Sequence, residues 1–187
     1  MIISLSGPSG IGKGYVKVRL LQSFPAMKEL AWLTTRPLRQ NESGNRVSVP
    51  QAEFDELASA GELVLVQSLY GHRYGLRKQD LLSAPGVFIT ELHPDNIQSA
   101  LAINPDIFAV GLITFDYDFL RRRLSEIRMT ESEGEISQRV NAARLEVRTI
   151  LQLESLFEAI IQVTEVHEFL TFNYVFAVLA PHIEKGA

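Results

Sequence analysis

Apolar runs recur along the chain at intervals that suit the strands of an α/β protein. Two of them, GVFITEL at 86–92 and DIFAVGLITF at 106–115, are nearly continuous, which is typical of central parallel strands buried on both faces. We predict strands at 2–6, 29–35, 62–70, 86–92, 106–115 and 158–164, with a further short strand at 46–49.

The segments between these runs favour helices. Ile136, Val140, Ala143, Val147 and Leu151 keep helical spacing and predict one long helix. Because strands alternate with helices, we predict a three-layer α/β fold with a mostly parallel central sheet. The other predicted helices are 12–21, 51–61, 94–101, 116–128 and 166–183.

The 187 residues suit a single domain over 1–187. The polar segment 36–80 interrupts the alternation and is predicted to be an inserted subdomain, which leaves a core of 1–35 and 81–187. The stretch MTESEGE at 129–135 is polar throughout, and we expect it to be mobile.

Composition narrows the class of function. The net charge of −4 argues against a general nucleic-acid binder, and the absence of cysteine excludes disulfides and thiolate metal sites. The first residues have no basic region and too short an apolar run for a signal peptide, and no run reaches the length of a membrane span. We therefore expect a cytoplasmic protein without a nucleic-acid or membrane partner.

The first predicted strand leads into SGPSGIGKGYV, which has the G-x-x-x-x-G-K spacing of a phosphate-binding loop. Small residues there expose backbone N–H groups to one anion, and the following helix adds the partial positive charge of its N-terminus. An ordinary tight turn is the alternative, but the strand before and the helix after favour a phosphate site. The predicted ATP-phosphate residues are Gly7, Ser9, Gly10, Ile11, Gly12, Lys13, Gly14 and Tyr15.

The positions after Lys13 depart from the usual pattern. A serine or threonine hydroxyl normally follows that lysine and binds magnesium, but here Gly14 and Tyr15 follow. The tyrosine hydroxyl lies too far from the backbone to replace it directly. Because Mg²⁺ tolerates waters and nucleotide oxygens as ligands, we expect a weakened but usable metal site.

The chain resembles the guanylate kinase family in the order of several motifs: GPSGIGKG, TTRPLRQNESG, EFDELASAGELV, YGHRYG, GVFITEL and RRRLSEIRMTES followed by ISQRVNAAR. The resemblance covers about residues 2–165. It implies a P-loop nucleoside monophosphate kinase fold with a core sheet, an acceptor-binding subdomain at about 36–80 and a helical lid at about 124–138. It also implies ATP and Mg²⁺ as cofactors.

The resemblance implies roles for four residues around the transferred phosphoryl group. Lys13 matches the loop lysine, and Arg128 and Arg139 match lid arginines that surround the phosphates, so these three are the predicted catalytic residues. Glu91 matches an acidic residue near the metal and its waters. Converging cations suit phosphoryl transfer, because that reaction needs positioning and positive charge more than covalent chemistry.

The resemblance also implies acceptor contacts. Arg36, Arg39 and Tyr74 match the residues that hold the acceptor's phosphate, and Arg46 lies near the place of a missing tyrosine. His93 follows a central strand, where α/β folds bind ligands. It either contacts the acceptor or stabilises the start of the next helix.

The positions that select guanine in that family hold other residues here. They are Leu65, Leu76, His93 and Trp32 in this sequence. Leucine accepts no hydrogen bond, and an unpaired buried donor costs about 1–3 kcal/mol. We therefore expect much weaker discrimination for guanine.

The sequence is compatible with two functions. The first is ATP-dependent phosphoryl transfer to a small phosphorylated acceptor, which is GMP, another nucleotide or a sugar phosphate. The second is a non-catalytic guanylate kinase-like module that binds phosphate or phosphopeptides. Retention of Lys13, Arg128 and Arg139 favours the kinase, since a pure binder has no use for them.

Overall fold

The computed structural model describes residues 1–38, 46–69, 71–83, 85–165 and 170–186. The strands are β1 Ile2–Ser6, β2 Lys28–Glu29, β3 Trp32–Thr34, β4 Arg46–Ser48, β5 Leu63–Leu69, β6 His72–Arg77, β7 Phe88–Glu91, β8 Ile107–Ile113 and β9 Ala159–Gln162. The helices are α1 Lys13–Ser23, α2 Gln51–Ser59, α3 Lys78–Ser83, α4 Ile97–Ile103, α5 Tyr117–Ile127, α6 Glu133–Gln152 and α7 Thr171–Gly186.

Five strands form the central sheet, in the order β2-β7-β1-β8-β9, and all neighbours are parallel. Successive side chains of a strand point to opposite faces. Ile3 and Leu5 of β1 therefore pack in a cluster with α1 and α7, whereas Ile2 packs in another with α4. The prediction of an α/β fold with a mostly parallel sheet is confirmed, and the carboxyl ends of these strands meet at one edge.

A second sheet has the order β4-β3-β6-β5 and mixes parallel and antiparallel pairs. Helix α2 covers one face, where Phe54 packs with Leu33 and Leu63. The other face carries Trp32 and Leu76, which are register partners and belong to the same apolar cluster as α4. The second sheet thus packs against the central domain through an apolar seam.

The single strand predicted at 29–35 is wrong, because the chain changes sheets within it. Lys28–Glu29 pairs with β7 in the central sheet, whereas Trp32–Thr34 pairs with β4 and β6 in the second sheet. Leu30, which is buried at the crossing, still donates its N–H to the carbonyl of Ile89. Leu30, Trp32 and Leu33 are all buried on either side of the crossing, so the run stays apolar there and does not reveal the change of sheet.

Two further boundaries differ from the prediction. Strand β6 covers His72–Arg77 and helix α3 covers Lys78–Ser83. Neither was predicted, because the YGHRYG segment is polar and aromatic and lacks an apolar pattern. Helix α6 begins at Glu133 rather than near Ile136, because Ser132 and Glu135 form a capping box. Part of the stretch predicted to be mobile is therefore the first turn of a helix.

In the part of the chain that the structure describes, no helix is both long and apolar enough to cross a membrane.

Leu65 has a left-handed backbone, with φ of 53°, and is the one non-glycine residue with positive φ in the described ranges. It lies where the register between β5 and β6 shifts, between Val64 and Gln67. The shift turns its side chain into the apolar seam with Trp32 and Leu76, where it is buried. Such a conformation costs of order 1–3 kcal/mol and persists only where surrounding packing holds it.

We expect Leu65→Gly to be more stable than Leu65→Ala by about 1 kcal/mol, because both lose the packing but only glycine relieves the strain. Leu63, in the same strand without positive φ, is the matched control, and there alanine should be the more stable replacement. Urea unfolding of the four variants measures both differences. A more stable alanine variant at position 65 would contradict the strain.

Candidate functional site

The glycine loop between β1 and α1 lies at the carboxyl edge of the central sheet, and the close approach of Gly7 to β8 fixes its path. Gly7 has φ of 146°, and a Cβ there would lie 2.3 Å from the carbonyl oxygen of Leu112. Only glycine fits this contact. The neighbouring Ser6 hydroxyl donates to the carbonyl of Leu92 at 2.9 Å, which ties the ends of β1 and β7 together.

Helix α1 begins without a side-chain cap, since its N-cap residue is Gly12 in a left-handed conformation. Its first N–H groups are therefore available to an anion. Lys13 folds back over the loop and donates to the carbonyls of Gly7 and Pro8. Burial lowers the pKa of Lys13, although Glu91 and Glu146 oppose this shift. The glycine loop, the N-terminus of α1 and the Lys13 ammonium together form a cradle that suits an anion.

Lys17, one turn after Lys13 on the same helix, forms a buried ion cluster that sequence reasoning missed. Its ammonium lies 2.5 Å from a carboxylate oxygen of Glu29 and 2.9 Å from one of Glu91. Burial alone would lower the pKa of Lys17, but the charge of Glu91 and the hydrogen bonds of both carboxylates raise it. This cluster joins α1 to the ends of β2 and β7.

Glu91, the predicted metal-associated residue, stays ionised within this cluster. Burial would raise its pKa, but the charges of Lys13 and Lys17, with a smaller contribution from Arg46, lower it. Glu146 of α6 also faces Lys13, and burial raises its pKa against the charges of Lys13 and His93. The structure thus brings Lys13, Glu91 and Arg46 together and adds Glu146, which the sequence did not single out.

The other predicted acceptor residues lie on the second sheet. Tyr74 of β6 is the register partner of Thr34, and Arg36 follows the end of β3 two residues later. Arg46 is the register partner of Trp32 on β4. Arg39 lies outside the described residues.

His93 stabilises the turn that follows β7. Its Nδ1 accepts a hydrogen bond from the N–H of Asp95 at 3.4 Å, and it lies 3.5 Å from the Asp95 carboxylate. Of the two roles expected from the sequence, this is the one in which His93 stabilises the start of the next helix. The charge of His93 also opposes the rise in the pKa of Glu146. The acceptor contact of His93 stays a prediction.

The two predicted lid arginines share one carboxylate, that of Glu131. Arg139 donates to it from Nε at 2.5 Å and from Nη2 at 2.7 Å, and Arg128 lies 4.0 Å from it. The hydrogen bond from Arg139 lowers the pKa of Glu131. Glu131 therefore holds the two arginines close together, which no motif in the sequence indicated.

Arg123 is a further cation beside the loop. Its Nη2 lies 3.8 Å from where a Cβ on Gly12 would stand. It also lines a cavity of about 210 Å³ with Phe119, Ile127 and Glu165. The run RRR in the sequence gave no means of separating Arg123 from Arg121 and Arg122, which form ion pairs with Glu133 and Glu165 respectively.

The chain is 34% identical to the guanylate kinase of Thermobifida fusca (strain YX) over 169 residues, which cover 88% of this chain and 84% of that protein. The chain belongs to the guanylate kinase family. It is also 32% identical to the guanylate kinase of Lactobacillus acidophilus over 171 residues, covering 88% and 81% of the two chains. The crystal structure of guanylate kinase from Anaplasma phagocytophilum matches with a TM-score of 0.70 at 20% identity, over 97% of this chain and 85% of that one. No family model matches the chain.

Membership in the guanylate kinase family makes the protein a nucleotide-binding phosphotransferase with a P-loop, as the motif order predicted. The structural match shows that the two-sheet architecture is that of a guanylate kinase.

We expect Lys17→Met to destabilise the protein by about 2–3 kcal/mol, because it leaves two carboxylates without their partner. This loss of stability is smaller than for a fully buried ion pair, because the Glu91 side chain is 29% exposed. Lys28→Met, at an exposed position of β2, is the matched control and should change stability by less than about 0.5 kcal/mol.

The loss of stability in Lys17→Met should also depend on pH. A carboxylate whose pKa is lowered on folding adds stability above its unfolded pKa, and this stability is lost as pH falls through the folded value. The difference between wild type and Lys17→Met in urea unfolding should therefore shrink as the pH falls below the normal range for a glutamate. A difference that stays constant as the pH falls well below that range would show that Glu91 is not stabilised by Lys17.

Proposed function

We propose that the protein transfers the γ-phosphoryl group of ATP to a small acceptor that carries a phosphate. The observation that supports this most is the cradle formed by the Gly7–Gly12 loop, the N-terminus of α1 and Lys13. We place the acceptor's phosphate at Arg36, Arg46 and Tyr74 of the second sheet, because the charge of Arg46 reaches Glu91 beside Lys13. A donor and an acceptor phosphate would thus meet between two sets of cations.

The transfer step needs no general base. An oxygen of the acceptor's phosphate forms a bond to the γ-phosphorus, the bond from that phosphorus to the bridging oxygen breaks, and ADP leaves with the electron pair. Lys13 and Arg123 would stabilise negative charge on the donor side, and Arg128 and Arg139 would do so from the lid. Glu131 would compete with the phosphates for both lid arginines, so their release accompanies nucleotide binding.

The chain's carboxylates fit a magnesium ion carried by the nucleotide. Among the described residues, no group of three or more acidic, histidine or cysteine side chains could hold a metal by itself. Mg²⁺ commonly binds through one or two carboxylates, substrate phosphates and waters. Glu91 and Glu146, which both face Lys13, would hold it through water, and the ion would neutralise charge on the phosphates. Tyr15, which is 46% exposed, would leave this shell to waters.

We expect ATP consumption with at least one phosphorylated acceptor from a panel of nucleoside monophosphates and sugar phosphates. Lys13→Ala should reduce the rate at least about a hundredfold, because it removes a cation aimed at the transferred charge. Lys28→Ala, at an exposed site far along the sequence from the loop, controls for the loss of one charge. A coupled assay for ADP measures the rates, and equal rates for wild type and Lys13→Ala would contradict catalysis at this loop.

A further inference from the structure

The wall of the acceptor cleft next to Tyr74 is filled by apolar side chains. Trp32 and Leu76 face each other across β3 and β6, and the left-handed backbone of Leu65 directs its side chain into the same cluster. Their exposures are 9% for Trp32, 8% for Leu65 and 0% for Leu76. A side chain that lined an open, base-sized pocket would be far more exposed in the unliganded protein. This part of the cleft is therefore closed by the protein's own side chains.

The polar atoms of this wall are already paired within the protein. The indole N–H of Trp32 donates to the Thr90 hydroxyl at 2.9 Å, and the side-chain amide of Asn96 donates to Gln67 at 3.1 Å. Both bonds cross from the second sheet to the central domain, so they hold the wall closed. A heterocyclic base placed here would break one of these bonds without a replacement, which is costly for a buried group.

The rest of the cleft is polar. The side chains of Glu91 and His93 are each 29% exposed, and Glu146 of α6 interacts with the charge of His93. Carboxylates and an imidazole accept hydrogen bonds from hydroxyl groups. Arg36, Arg46 and Tyr74 would bind the phosphate.

We propose that the acceptor is a hydroxylated phosphate ester without a nucleobase, and that Trp32 excludes the base. This inference rests on the proposed phosphoryl-transfer function and narrows its acceptor. Trp32 and Leu65 fill the space next to Tyr74 that a base would need, and the partly exposed Glu91 and His93 accept hydrogen bonds from hydroxyls of the acceptor. The guanylate kinase relatives are named for another acceptor, so the difference lies in this chain's own residues.

The test compares ribose 5-phosphate with GMP, which is the same ester carrying guanine. In calorimetric titrations of the full chain, ribose 5-phosphate should bind at least tenfold more tightly than GMP. GMP that binds as tightly as ribose 5-phosphate, or more tightly, would overturn the proposal, and so would an absence of ribose 5-phosphate binding. Neither result concerns ATP consumption, so the phosphotransferase function stands or falls separately in the Lys13→Ala assay.

The Trp32→Ala variant tests whether Trp32 is the residue that excludes the base. Trp32→Ala should improve GMP binding relative to ribose 5-phosphate at least fivefold, because it opens the closed wall. Leu33→Ala is the matched control, since Leu33 is buried in the same strand but faces α2, and it should leave the ratio unchanged. An unchanged ratio in a folded Trp32→Ala protein would show that Trp32 does not exclude the base. Should that variant not fold, the titrations of the wild type still decide the proposal.

Discussion

One buried ammonium, that of Lys17, joins the elements on which the site depends. It lies between the carboxylates of Glu29 and Glu91 and so connects α1 to the ends of β2 and β7. Parallel strands bring their carboxyl ends to one edge, and without a cation two acidic groups gathered there would repel each other. By balancing them, Lys17 keeps an ionised Glu91 close to Lys13. The anion cradle and its acidic floor are therefore parts of one electrostatic arrangement.

The phosphate-binding loop and the apolar seam place different demands on the sequence. The loop with Lys13 needs only backbone geometry and positive charge to bind an anion. The seam instead depends on the packing of Trp32, Leu65 and Leu76, with a strained backbone at Leu65. Strain of this kind persists where surrounding contacts hold it, as the apolar seam does here. The proposed phosphate chemistry and the proposed acceptor selection therefore rest on separate parts of the fold.

Much of the fold could be predicted because long buried strands and spaced helices leave clear patterns. The central runs at 86–92 and 106–115 became β7 and β8 with small shifts at their ends. The change of sheet at Leu30 could not be predicted, because Leu30 before the crossing and Trp32 and Leu33 after it are all buried. Within the site, the loop was recognisable from local spacing. Lys17, Glu131 and Glu146 were not, since each has a partner eight or more residues away along the chain.

The most direct test of this account offers the enzyme both kinds of acceptor at once. ATP is supplied with equal amounts of GMP and several base-free hydroxylated phosphate esters, and mass spectrometry identifies which compound gains a phosphoryl group. The account predicts a phosphorylated product from a base-free ester and no GDP above the level of the Lys13→Ala protein. GDP as the main product would show that the closed wall opens for guanine and would contradict the account.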